Sequence, residues 1–475
     1  MDHAAPSQAF RVELGATLRL AGPLALANLL QMAVFATDVM FVARLGQQSL
    51  AASSLAVAMI AVLMMGLNGV TSACAPLIAA ELGRRENAVR EVRRTTRMAL
   101  WLAVSLGLAG IVVCQFAEEF MLATGQDPVL ARMGGDFLAL LSFGMVPMAV
   151  ANVLRTFVSA MGRPIFATAI TAASILVNIV GDYALVFGHF GMPRLELTGA
   201  ALASIITASS TVVAYVFAIR ADRRLRRFHI FGRWWRTEWA RMRQMLALGL
   251  PISGTLIAEG GLFSGAAFLM GLVGEAQLAA HTVALQIAAI AFQVPFGIGQ
   301  AAMIRVGYHY GGARRQGIAD AGTAAIAICL AFAAISAAFI LLFPRFVLSA
   351  YVDVSDPANA VMVELAVSYL FIAAVFQFSD ALQAVAAGVL RGIQDTRVPM
   401  AIAVVGYWLA GFATSAVLGL YTHLEGVGVW LGLAVGLTVA AVPLLVRWYA
   451  RERFGLLRVL DTTPARSPRR ISAPA

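Results

Sequence analysis

The stretches "LRLAGPLALANLLQ" (Leu18–Gln31) and "LALGLPISGTLIAE" (Leu246–Glu259) fall on one another when the chain is slid along itself by 228 residues. In the same register Pro23 meets Pro251, Gly46 meets Gly274, and Leu50–Ala52 meets Leu278–Ala280. Gly69 meets Gly297 and Gly83 meets Gly311, with no gap over about 65 residues. Apolar sequence matches itself by chance, but prolines, glycines and loop residues held in one register are harder to obtain that way. A looser echo follows, with Leu154-Arg155 ahead of Pro164 and Leu390-Arg391 ahead of Pro399. The chain is read as two copies of one unit.

The unit is built for a membrane. Of 475 residues, 60% are hydrophobic and only 13% charged, with a mean hydropathy of +0.81. A soluble protein carries about 25% charge. Charge-poor runs place twelve spans near 15–43, 51–80, 98–117, 137–161, 164–188, 197–219, 244–272, 276–304, 321–344, 358–390, 398–421 and 426–446, each sufficient for a crossing of about 20 residues. The runs are apolar all round, with scattered Gly and Ala, as in helices packed through small residues. They lack the alternation of a closed β-barrel. The expected fold is therefore an all-α integral membrane protein of twelve transmembrane helices in two six-helix lobes. An even number of spans per lobe makes the lobes parallel, related by an axis along the membrane normal, with a central cavity between them. The expected limits are an N-terminal tail at 1–12, a first lobe at 13–221, a linker at 222–241, a second lobe at 242–453 and a tail at 454–475. The last of these, ending in "TTPARSPRRISAPA", has a composition that predicts disorder.

All 35 basic side chains are Arg and the net charge is +10. Odd-numbered loops hold only Arg44, Arg132, Arg194 and Arg345; the rest gather toward the opposite face, so both termini are expected in the cytoplasm of a bacterium, the chain crossing its inner membrane. Short-loop arginines of this kind exclude nucleic acid as a partner; membrane lipids surround the chain. Arg155, Arg305 and Arg391 are read as helix ends reaching for headgroups. Cys74, Cys114 and Cys329 lie inside apolar runs and point neither to disulfides nor to a metal. There is no Walker A motif, "GVGVWLG" (Gly426–Gly432) lacks the context of a dinucleotide loop, and no enzyme constellation or cofactor motif is visible.

Against this background a few polar residues stand out. Glu259 is the only charged residue between Arg243 and Glu275. Asp38 lies late in span 1, Asn178 and Asp182 share a face of span 5, and Asp380 lies inside span 10. None has an Arg three or four residues away. A charge at the bilayer centre costs at least about 2.5–3.5 kcal/mol, so such residues face a bundle interior or a wet cavity and serve function. A carboxyl group out of water can hold a proton or, ionised, neutralise a cation, which is the minimal chemistry of an antiporter. Pro23 weakens the backbone ladder of span 1 and is a candidate kink or hinge.

These residues, with "ATDVMFVARLG" (Ala36–Gly46), "ILVNIVGDYALVFG" (Ile175–Gly188), "LGLPISGTLIAEGGLFSGAAFLMGLVG" (Leu248–Gly274), "AAHTVALQIAAIAFQVPFGIGQAAMIRVG" (Ala279–Gly307) and "DALQAVAAGVLRGIQDTRVP" (Asp380–Pro399), resemble the multidrug and toxic-compound extrusion (MATE) family, NorM-like branch, over roughly residues 12–450. The resemblance implies a V-shaped pair of six-helix lobes and secondary efflux of cationic or amphipathic drugs against inward H⁺ or Na⁺. It implies a cation site at Glu259 and Asp380 in the second lobe, where Na⁺ is the alternative ion, and a proton site at Asp38, Asn178 and Asp182 in the first. It places Gln31, Thr282, Gln286 and Phe376 in the substrate cavity. Two departures stand out: Phe376 replaces a Tyr found in some sodium-coupled members, and Thr282 replaces a Gln. The lost hydroxyl and the presence of Asp182 favour H⁺ over Na⁺. The expectation is a monomeric multidrug/proton antiporter without a cofactor; a lipid-linked saccharide flippase of related fold is the alternative, and it should carry arginines in its cavity.

Overall fold

The computed structural model describes residues 6–84, 88–232 and 237–460. Twelve helices in it are long and apolar enough to cross a membrane, and no strand occurs among the described residues. In chain order they are α1 (Pro6–Ala43), α2 (Gln47–Arg84), α3 (Ala88–Cys114), α4 (Pro128–Ala160), α5 (Pro164–Phe187) and α6 (Glu196–Ala221). The second set is α7 (Trp239–Val273), α8 (Glu275–Gly311), α9 (Arg315–Leu342), α10 (Pro357–Gly392), α11 (Arg397–Leu420) and α12 (Glu425–Tyr449). Local signals set the ends. Asp127 caps α4 by accepting from the N–H groups of Val129 (2.9 Å) and Leu130 (3.2 Å), with Pro128 at the first helical position. Gly46 and Gly274, partners in the repeat, stand immediately before α2 and α8.

The helices outrun the apolar runs that announce them. Hydropathy detects the hydrocarbon layer, whereas a helix continues until its hydrogen-bond ladder is broken, so α3 begins at Ala88 among arginines. For the same reason α1 already starts at Pro6, inside the stretch expected to be a tail, and α7 starts at Trp239, inside the expected linker. The C-terminal stretch also differs from expectation: residues 454–457 form turns, Arg458–Leu460 a short 3-10 helix, and Leu457 is buried in the apolar core that joins the lobes. Residues 461–475 lie outside the described residues.

One apolar core lies in the first lobe and another in the second, and a third joins them. The third places Leu20, Ala21 and Leu24 of α1 and Ala75 and Ala79 of α2 against α8–α10. The seam follows the repeat: α1 packs on α8 and α2 on α7. A methyl on Gly69 would strike Ser253, and one on Gly297 would strike Ala25, which occupies Ser253's place in the 228-residue register. A methyl on Gly83 would strike the Tyr308 carbonyl, and one on Gly311 the carbonyl of Ala80, the counterpart of Tyr308. Both pairs of glycines singled out by the repeat thus allow the lobes' backbones to touch.

Ion pairs reinforce the seam at its arginine-rich end. Glu13 of α1 holds Arg305 (2.6 Å) and His309 (2.9 Å) of α8. Arg241 of α7 holds Glu81 (3.0 Å) of α2 and Glu91 (2.7 Å) of α3. Glu13 and Arg241 are repeat partners, as are Glu81 and His309, so the second contact mirrors the first with donor and acceptor exchanged. Arg305 therefore binds the opposite lobe instead of reaching for headgroups, because a carboxylate stands within bidentate range.

Gly311→Ala and Gly83→Ala should each lower the thermal unfolding midpoint of the detergent-solubilised protein, at a cost of about 1–3 kcal/mol for overpacking. Gly22→Ala, with open space around it, should leave the midpoint unchanged or raise it; equal behaviour of the three variants would contradict the seam.

Candidate functional site

Between the lobes lies a cavity of about 310 Å³ lined by α1, α2 and α4 on one side and by α7, α8 and α10 on the other. These are the same three positions of each lobe. Gln31 lines it, together with Asn28, Phe35, Asn68, Asn152, Gln293, Phe296 and Gln300. Thr282 and Gln286 do not: both are exposed on α8 toward its Glu275 end, and Thr282 donates to the Leu278 carbonyl at 2.8 Å. Phe376 is buried within the second lobe against Trp430, ring centroids 5.5 Å apart.

Arg155 and Arg391 enter the cavity wall, a correction to their reading as headgroup anchors. They sit at matching places on α4 and α10, where each helix borders the gap between lobes. Arg155 donates to Asn28 Oδ1. Arg391 lies within electrostatic reach of Glu259 and Tyr407. The lining contains no Asp or Glu.

The acids lie just beyond the cavity. On α1 the stripe Asn28, Gln31, Phe35 continues to Asp38; on α7 Ile252 and Leu256 continue to Glu259; on α10 Arg391, Gly388 and Ala384 continue to Asp380. The steps of three or four residues keep one helix face, at about 1.5 Å rise per residue. All three acids are therefore displaced in one direction, about one turn further from the arginine-rich end.

In the first lobe Asp38, Asn178 and Asp182 come together. Asn178 Nδ2 donates to Asp38 Oδ1 at 2.7 Å and Ser204 Oγ of α6 to Asp38 Oδ2 at 3.4 Å. Asp182 is fully buried beside Asp38, and neither of its oxygens meets an amide or hydroxyl donor. In the second lobe Glu259 and Asp380 interact electrostatically, with the Tyr407 hydroxyl buried, unpaired and within reach of both. Tyr407 lies in a π-helical segment of α11, Val405–Phe412, a distortion frequent at functional sites. Asp380 and Phe376 border a cavity of about 10 Å³, room for about one water. Pro23 lies inside an unbroken α1, its carbonyl accepting from Thr168 Oγ1 of α5 at 2.7 Å.

Sequence reasoning missed Ser204 and Tyr407, which carry no signal beyond being polar in an apolar run. The cavity arginines did carry one, because the Leu-Arg pair recurs in both lobes.

The MatE family matches residues 23–184 and 251–417, one segment in each lobe. The chain belongs to the MATE family. It is 41% identical over 450 residues to a "probable multidrug resistance protein NorM" of Mesorhizobium japonicum, covering 94% of this chain and 96% of that one. A protein of the same description from Brucella suis is 40% identical over 436 residues, with 92% and 93% covered. Among solved structures, a MATE protein in complex with MaL6 matches with a TM-score of 0.84 at 20% identity, covering 96% of this chain and all of that one. An outward-facing multidrug resistance MATE transporter of the MOP superfamily matches at 0.82 and 21%, covering 97% of this chain. The fold is thus that of MATE transporters, and the NorM-like branch is supported by the relatives in sequence.

The contact between Asn178 and Asp38 should appear in a double-mutant cycle. Asn178→Ala and Asp38→Asn should be non-additive in unfolding free energy by about 0.5–3 kcal/mol; strict additivity would mean that the two side chains do not depend on each other.

Proposed function

We propose that the protein is a bacterial inner-membrane multidrug antiporter that exports amphipathic organic cations as a monomer, coupled to H⁺ in preference to Na⁺. The single observation that carries this reading is the placement of Asp38, Glu259 and Asp380 one turn beyond the inter-lobe cavity on three of its own helices. Loading an acid in either lobe therefore acts on helices that also bind the substrate. The acids are separate from the cavity, so coupling passes through helix position and through Arg391, which senses Glu259, instead of through direct competition for one carboxylate.

Two carboxyl groups side by side out of water tolerate one charge far better than two, which suits Asp38 and Asp182 to a shared proton. Phe376 supplies no oxygen to a sodium ion beside Asp380. The seam closes the arginine-rich end, which the positive-inside rule makes cytoplasmic, so this conformation presents its cavity outward. Rocking inward requires the two ion-pair clusters and the glycine contacts to part. Exchange of one proton for one monovalent cation moves no net charge; use of the membrane potential, about 2.3 kcal/mol per charge per 100 mV, requires more than one cation inward per drug.

The flippase alternative is favoured by one observation, the two cavity arginines. The cavity volume speaks against it: about 310 Å³ is at the small end of the roughly 300–1,000 Å³ typical of small-molecule sites.

In proteoliposomes, an imposed pH gradient should drive efflux of a fluorescent cation, and Glu259→Gln or Asp38→Asn should abolish it while the folded protein persists. Efflux driven only by a Na⁺ gradient would overturn proton coupling; efflux equally fast in all three proteins would leave the acids structural. Glu13→Gln combined with Arg241→Gln should weaken closure at the arginine-rich end. A cysteine at Ala75 should then react faster with a membrane-impermeant thiol reagent applied from that side, in a background lacking the native cysteines. An unchanged rate would remove the ion pairs from the gate.

A further inference from the structure

The segment that joins the lobes carries five arginines in eight residues, Arg220, Arg223, Arg224, Arg226 and Arg227. All five are exposed, and among the described residues none makes a side-chain hydrogen bond or ion pair. Other arginines at this end of the bundle are given carboxylates: Arg94 has Glu91 and Glu238, Arg241 has Glu81 and Glu91, and Arg447 has Asp395. The one acid in the stretch, Asp222, is already engaged. It caps the one-turn helix Arg223–Arg226 by accepting from the N–H groups of Arg224 (2.7 Å) and Leu225 (3.1 Å), and it pairs with Arg163 at 3.3 Å. The stretch does not trail away from the lobe. α6 ends at Ala221, and the chain folds straight back, with Leu225, Phe228 and Ile230 each 1% exposed in the first lobe's core. The Phe228 ring meets Phe157 of α4 edge-on, centroids 6.1 Å apart. Arg227 rests over the Phe228 ring (5.1 Å) and Arg220 over that of Phe231 (5.7 Å). Leu225 and Phe228, three residues apart, share the inner face, which leaves the arginines on the outer sides.

We propose that this stretch is a docking surface for the anionic headgroups of phospholipids, phosphatidylglycerol above all, in the leaflet at the arginine-rich end. A cluster of basic residues immediately outside a transmembrane helix gathers anionic lipid, and its pull fades within a Debye length of the surface. The stretch meets that condition because its buried apolar residues hold it where α6 leaves the membrane. The guanidinium fork matches the oxygens of a phosphodiester. The patch is open and carries several unpaired cations side by side, which suits an array of headgroups better than one soluble anion. The far end of the segment is tied to the same lobe, with Glu238 holding Arg94 and Arg97 of α3 at 2.9 Å each. A lipid docked here is therefore held by the first lobe alone. The inference is independent of the cargo and the coupling ion.

The test uses full-length protein in a neutral detergent, titrated with dioctanoyl phosphatidylglycerol or dioctanoyl phosphatidylcholine. Retained lipid is counted by native mass spectrometry, and the thermal unfolding midpoint of each lipid-free protein confirms that it is folded. The wild type should prefer phosphatidylglycerol by about fivefold or more, and the preference should shrink as salt rises from about 50 to about 500 mM. Replacing three unpaired arginines together, Arg223→Gln, Arg224→Gln and Arg226→Gln, should cut the preference by about threefold or more. The unfolding midpoint should not move, because all three side chains are exposed. The matching lysine substitutions, which keep the charge, should retain most of the preference. Removing as many exposed arginines at the opposite end, by Arg44→Gln, Arg132→Gln and Arg345→Gln, should leave it unchanged. Equal loss in the two glutamine variants would mean that overall charge and not this surface recruits the lipid, and would overturn the proposal. An unchanged preference in the Arg223, Arg224 and Arg226 variant would overturn it as well. Displacement of the lipid by inorganic phosphate at equal concentration would make the patch a site for soluble anions, and the assignment to lipid would fail.

Discussion

Backbone contact between the lobes, at Gly83 against Tyr308 and at Gly311 against Ala80, sets the geometry of everything above it. Lipid tails are as apolar as leucine, so helices in a membrane gain little from burying hydrophobic side chains and associate through close packing and polar contacts. Small residues at the seam are the means of doing so. The helices touch at the arginine-rich end and leave a cavity between the lobes, and helical periodicity decides which side chains face it.

Two-fold repetition explains why the seam is paired but not identical. Each lobe offers the same helices to the other, so both glycine contacts occur twice. The charges need not repeat: Glu13 faces His309 and Arg305, while its counterpart Arg241 faces Glu81 and Glu91. The exchange of donor and acceptor keeps both halves of the seam tied by an ion pair. The lobes diverge further in their interiors. One holds Asp38 beside Asp182 with Asn178 and Ser204, the other Glu259 with Asp380 and Tyr407. The common frame thus carries two buried acid clusters of different composition.

The separation of acids from cavity has a mechanistic consequence. Direct competition between proton and drug needs one shared carboxylate, and in this conformation the cavity wall has none. On the proposed antiport, coupling is then carried by helices that bear an acid on one turn and a cavity residue on the next. α10 is the clearest case, with Asp380 and Arg391 on the same face and Glu259 within electrostatic reach of both.

Much of this was written in the sequence. Hydropathy fixed twelve spans, because lipid demands apolar helices of a minimum length. The 228-residue register fixed two parallel lobes, and lone acids in apolar runs marked the residues that gather into two buried acid clusters. Arginine asymmetry pointed to an orientation. Only tertiary structure showed that Arg155 and Arg391 line the cavity, that Arg305 ties the lobes together, and that Ser204 and Tyr407 join the acids. The reason is physical. Periodicity along one helix tells which residues share a face, but which neighbour that face meets depends on contacts between helices far apart in the chain, and a guanidinium near a helix end reads the same whether it turns to lipid or to a cavity.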